Sequence, residues 1–264
     1  MPTSTMGDLQ VYYAIQGKGE PLLIFSDHLL SSAAYQREID HFSANFQVIA
    51  FDYPGRGKST HQTHYPDEQE YDLWGFWGDL ACHLLQDLQL DHAYAFGVGG
   101  GAMAALHFAG NQAAQHHLRP CGVIADSFLA DWDSRTLHRW LDVREHYYVR
   151  NHKLLKELHG EDWREVVDRD TAFVRRLADH GGYQVPDATL NAIPCPVLLT
   201  GHQRDHALPR IAAEYARISS LIPHCDLYLS ASQNHPYIER PYAWSDSSTF
   251  LQIADLFLEK SQPQ

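Results

Sequence analysis

The chain has 264 residues, 44% of them hydrophobic and 20% charged, which is long enough to bury a sizeable core. A formal net charge of -13 without any basic stripe argues against a nucleic acid or an anionic membrane surface as partner. No Arg/Lys-led apolar segment opens the chain and no run of roughly 18 apolar residues occurs, so a cytoplasmic location is expected. Cys82, Cys121, Cys195 and Cys225 are scattered without a C-x-x-C pair and read as free thiols, mostly buried, in a reducing compartment. There are 18 histidines, but without H-E-x-x-H or a comparable ligand set they imply no metal.

Strand-like and helix-like segments alternate along the chain, the signature of a mostly parallel sheet covered by helices. Leu9 to Ile15 alternates apolar and polar residues and ends at Gly17-Lys18-Gly19, as an edge hairpin would. Pro21 to Phe25 and Phe46 to Phe51 are short apolar runs of the buried kind, with a helix expected between them from Tyr35 to Phe42. Asp52-Tyr53-Pro54-Gly55-Arg56-Gly57 is a tight turn, and Tyr71 to Leu88 carries apolar residues at a helical period. Ala93 to Phe96 reads as a buried strand and Ala102 to Phe108 as a helix. Between them, Gly97-Val98-Gly99-Gly100-Gly101 fits the sharp strand-to-helix turn of G-x-S-x-G. Gly99 stands at the centre of that turn, where the nucleophile is normally carried, and it offers no atom to attack with.

Gly122 to Ala125 is the next strand, closed by Asp126. From Ser127 to about Pro186 the strand pattern gives way to amphipathic helical stretches at Ser134 to Val149, Leu154 to Leu158 and Asp162 to Ala178. This reads as a helical cap, approximately residues 127–186, over a single α/β domain. Trp132 and Trp140 within it are candidates for the wall of a substrate pocket. The sheet pattern resumes with Pro196 to Thr200, a helix from Leu208 to Ser220, a strand from Asp226 to Leu229, and a closing helix from Thr249 to Glu259.

Ligands of such sheets bind beyond the carboxyl ends of the strands, so the loops there carry the chemistry. The loop after Thr200 presents Asp205 before a helix, and the loop after Leu229 presents His235. A histidine can take and return a proton near neutral pH, and a carboxylate behind it fixes its tautomer and stabilises the imidazolium. The order of elbow, Asp205 and His235 resembles the α/β-hydrolase superfamily, as do the Asp52 to Ser59 loop and the cap. The resemblance implies an α/β-hydrolase fold acting on a small ester or lactone without a cofactor, and the aromatic cap implies that this ligand is mainly apolar or aromatic.

Ser26-Asp27-His28-Leu29, Phe51 to Gly55 and the elbow also resemble the zearalenone-type lactone hydrolases. In those enzymes the acid sits at the end of the strand after the elbow, which makes Asp126 the alternative to Asp205. Ser26-Asp27-His28 stands where hydrolases of this fold often have His-Gly, and the backbone N–H groups of His28 and Gly100 are the expected oxyanion donors. Asp27 places a carboxylate beside them and is a candidate for binding a substrate hydroxyl. Gly99 leaves three readings open: an engineered knockout of a serine, a native enzyme that works with a base alone, or a non-catalytic ligand-binding protein. The second resembles the cofactor-independent quinolone dioxygenases, where a His/Asp dyad deprotonates the substrate.

Overall fold

The structure, a computed structural model, describes residues 2–59, 72–205, 207–208, 210–231 and 247–262. Among these residues β1 (Thr3–Met6) and β2 (Leu9–Gln16) form a hairpin at one edge of the sheet, and β2 pairs antiparallel with β4 (Phe46–Phe51). The remaining neighbours are parallel: β4, β3 (Glu20–Phe25), β5 (His92–Val98), β6 (Arg119–Asp126), β9 (Val197–His202) and β10 (Cys225–Ser230), in that spatial order. The first strand, Thr-Ser-Thr-Met, has no apolar run to announce it; backbone pairing with β2 makes it a strand.

The central strands are apolar at nearly every position because helices cover both faces of the sheet. Leu23 and Phe25 point into a cluster shared with α2 (Leu73–Asp87) and α3 (Gly100–His107). Leu22 and Ile24 point the other way, towards α1 (Gln36–Phe42) and α9 (Ser247–Ser261). The α3 helix runs through a wide π-type turn, Phe108–Gln112, into the short α4 (Ala113–Gln115).

The segment between β6 and β9 holds three helices: α5 (Ser134–His159), α6 (Trp163–Asp179) and α7 (Asp187–Asn191). Two findings correct the sequence reading. The stretches at Ser134 and Leu154 are one 26-residue helix, capped by Asp133, whose carboxylate accepts the Thr136 N–H at 2.8 Å. The segment is also not free of strands, because β7 (Asp131–Asp133) pairs antiparallel with β8 (Gly182–Gln184) at its base. Three-residue strands are too short to show a period of two in the sequence. The α8 helix (Ile211–Leu221) joins β9 to β10. All four cysteines are free thiols, and three are buried. No helix among the described residues is long and apolar enough to cross a membrane.

Candidate active site

The strand order reverses around β3, which has β4 on one side and β5 on the other, and a crevice opens at such a switch point beyond the strand ends. Phe25 stands opposite Gly97 in the β3–β5 register, so the residues two further along, Asp27 and Gly99, leave the sheet at the same level. Gly99 precedes α3 with φ +57° and ψ -122°, backbone angles that glycine takes at little cost. A Cβ built on it would overlap Asp27 Oδ1, lying 2.7 Å from Asp27 Cγ and 3.3 Å from Oδ2. The space belonging to an elbow side chain is therefore taken by a carboxylate from the neighbouring strand.

Asp27 is held there from both ends. The Gly100 N–H donates to its Oδ1 at 2.6 Å, and its own backbone N–H donates to the Tyr35 hydroxyl at 2.9 Å. A charge-assisted bond of that length is a strong anchor. The Gly100 N–H, expected to hold a substrate oxyanion together with the His28 N–H, is thus engaged by Asp27.

The His28 side chain is a structural hub. Its ring lies edge-on to Trp74 and Trp77, with centroids 5.3 and 5.2 Å away, and overlaps the place where a Cβ on Gly100 would be. The Trp74 indole N–H donates to His28 Nε2 at 3.1 Å, so Nδ1 carries the ring proton and donates to Asp170 Oδ1 at 3.2 Å. Asp170 is wholly buried and also accepts from Arg56 Nη2 at 2.9 Å and from Arg144 Nη2. Burial alone would push its carboxyl up, but Arg144, His28 and Arg56 outweigh it and hold the group well below the ordinary carboxylate range. The Asp52 turn delivers Arg56: Asp52 accepts the Ser32 and Lys58 N–H groups at 2.7 and 2.8 Å, and Arg56 lies over the Trp77 ring.

Asp170, Arg144 and Arg56 were not among the sequence candidates, yet a signal for two of them was present. Asp170 falls on the apolar stripe of α6 formed by Val166, Val167, Phe173, Val174 and Leu177. Arg144 does the same on α5 among Leu137, Tyr148 and Leu155. A charge at a core position requires a buried partner.

Between the elbow and the helical insertion lies a cavity of about 560 Å³, lined by Asp27, His28, Gly99 and Gly100 on the sheet side and by α5 and α6 above. Trp74, Phe128, Trp132 and Trp140 make much of its wall, so both tryptophans singled out in the sequence face it. Arg139 and Arg150 add positive groups along α5, with His146 between them in the lining.

The remaining candidates are placed as follows. Asp205 is buried after β9, and its Oδ1 accepts the N–H groups of Ala207 and Leu208 at 2.8 and 3.1 Å, the pattern of a turn-capping aspartate. Asp126 ends β6 with no exposure, accepting from Thr200 Oγ1 at 2.7 Å, and its backbone oxygen takes the Gly99 N–H at 2.9 Å. Burial pushes its carboxyl far above the ordinary range despite the Thr200 hydrogen bond. His235 lies outside the described residues, as does His206. Away from the cavity, Asp79, His83 and His116 bring three potential ligand atoms within 4.8 Å of one another at the surface, with His116 Nε2 2.6 Å from Asp79 Oδ1.

A parallel sheet with a tight elbow, a crevice at its switch point and helices over it defines a hydrolase-type scaffold. The profile of the alpha/beta hydrolase family matches residues 25–244, and the chain belongs to that family. A segment of 49 residues is 39% identical to the (E)-2-((N-methylformamido)methylene)succinate hydrolase of Acinetobacter baylyi, a match spanning 19% of this chain and 19% of that protein. Among solved structures, the enol-lactonase from Burkholderia xenovorans is similar with a TM-score of 0.67 at 14% identity, covering 98% of this chain and 100% of that one. An E-2-(acetamidomethylene)succinate hydrolase has a TM-score of 0.70 at 16% identity, with 98% of both chains covered.

Proposed function

We propose that this chain hydrolyses a small ester or lactone with a mainly apolar or aromatic body, bound in the cavity beneath the insertion, which acts as its cap. The observation that carries this reading is the tryptophan-rich cavity opening directly onto the elbow. The family supports hydrolysis, and structural likeness to a lactonase agrees with the substrate class. Gly99 has no oxygen, so the attacking oxygen is that of water, activated by a base rather than supplied by an acyl-enzyme. His235 is a base in this scheme, by its place in chain order, with Asp205 as its acid. Asp126 suits that part less well, because its carboxyl has no exposure and is hydrogen-bonded to Thr200. No cofactor is required.

The Asp27 carboxylate beside Gly99 supports a native glycine over an engineered knockout, since serine at 99 fits only with that side chain turned aside. The same observation favours, as a second reading, base-only chemistry of the dioxygenase kind. A panel of p-nitrophenyl esters and aromatic lactones separates the two. Hydrolysis above the buffer rate, reduced to background in His235→Ala, supports the first. Oxygen consumption with a hydroxyquinolone and no ester cleavage supports the second, and neither activity leaves a binding protein.

A further inference from the structure

We infer that Asp27 is the reactive carboxylate of this site, a base that the adjacent strand supplies in the place of the elbow side chain; its role on esters rests on the hydrolase reading above. Three observations converge. Asp27 Oδ1 and Cγ crowd the position that a Cβ at 99 would take, Cγ lying 2.7 Å from it, so Asp27 and a side chain at 99 compete for the same space. The Gly100 N–H at the start of α3 anchors Oδ1 at 2.6 Å, which fixes the carboxylate plane at the elbow. Asp27 is only 7% exposed, and it is among the residues lining the cavity with Trp74, Trp132 and Trp140.

The ionisable groups next to it, His28 and Asp170, are already committed to structure. Both ring nitrogens of His28 are engaged by Trp74 and Asp170, and the Asp170 carboxylate is shared between two arginines. With Oδ1 held by the backbone, Oδ2 is the oxygen left to act as a second base, in addition to the His235 of the reading above. A water beside it attacks the ester carbonyl: its oxygen bonds the carbonyl carbon while one proton moves to Oδ2. The bond to the alkoxy oxygen then breaks and that oxygen takes the proton back. Ester and water thus give acid and alcohol, and Asp27 ends as a carboxylate.

The test does not depend on ester hydrolysis. The full chain is treated with 1,2-epoxy-3-(4-nitrophenoxy)propane, an aromatic epoxide that a reactive carboxylate opens: the carboxylate oxygen bonds the terminal carbon, the ring C–O bond breaks, and the alkoxide takes a proton from water. Mass spectrometry of the digest is expected to place the adduct on Asp27 at least tenfold faster than on any exposed carboxylate, and Asp27→Asn removes it. Adducts spread over surface carboxylates with Asp27 unmodified would overturn the assignment. On p-nitrophenyl esters, Asp27→Asn is expected to lower kcat by about a hundredfold or more, the usual span for a general base. Ester hydrolysis that survives Asp27→Asn within twofold also overturns it. A labelled Asp27 in a protein that cleaves no ester upholds the reactive carboxylate and refutes the ester reading alone.

Discussion

Replacing Asp170 by asparagine tests how the floor of the cavity is held together. The side chain keeps its shape, but its charge is removed from a site with no solvent exposure, where Arg56 and Arg144, themselves buried, both lean on it. Removing one partner of a buried ion pair leaves the other charge uncompensated, which costs about 3–5 kcal/mol. At about 2–4 °C per kcal/mol for a protein of this size, melting falls by roughly 10 °C. Urea unfolding at pH 7 measures the change directly. Asp168→Asn, which breaks an exposed pair with Arg164 at 3.1 Å, is the control and is expected to cost less than about 1 kcal/mol. The pH dependence has a definite sign. The Asp170 carboxyl is lowered on folding, so its contribution is full above the unfolded aspartate range and is lost as pH falls below about 4. A loss for Asp170→Asn no larger than for Asp168→Asn would refute the buried network.

Glu38, buried on α1, has its carboxyl pushed up to about 7, first by burial, with its own backbone hydrogen bond and Arg37 opposing. Stability therefore declines as pH rises from the unfolded value near 4.5 towards 7. Glu38→Gln is expected to stabilise the protein at pH 8 by up to about 3 kcal/mol and by little at pH 4.5, read from urea midpoints at both pH values. Gly100→Ala drives a methyl group into the His28 ring and is expected to cost roughly 1–3 kcal/mol, with a change in tryptophan fluorescence as the ring leaves Trp74. Trp140→Ala removes cavity wall but no polar group at the elbow. The KM for a p-nitrophenyl ester is expected to rise about tenfold with kcat nearly unchanged, the sign of lost uniform binding.

The fold was legible because long apolar runs and the glycine-rich elbow leave few alternatives. The parallel strands from Pro21 onwards and the α2 and α6 helices are found close to where periodicity puts them. The misses were local: β1 is polar, β7 and β8 are three residues each, and the polar Asn151-His152-Lys153 interrupts no backbone hydrogen bond of α5. The site was legible only in part. Trp132 and Trp140 face the cavity, but no spacing rule could reveal that Asp27 reaches across to Gly99. That relation is set by the register of two strands some 70 residues apart. Asp170 was visible as a charge on an apolar stripe, although its three partners come from different elements and are joined only by the fold.

The proposed cleavage of esters in this cavity without an elbow nucleophile is tested most directly by stopped-flow release of p-nitrophenolate from a p-nitrophenyl ester. Steady release above the buffer rate from the first turnover is expected, with no initial burst, because no acyl-enzyme forms. A burst stoichiometric with protein, or release no faster than buffer, would contradict it.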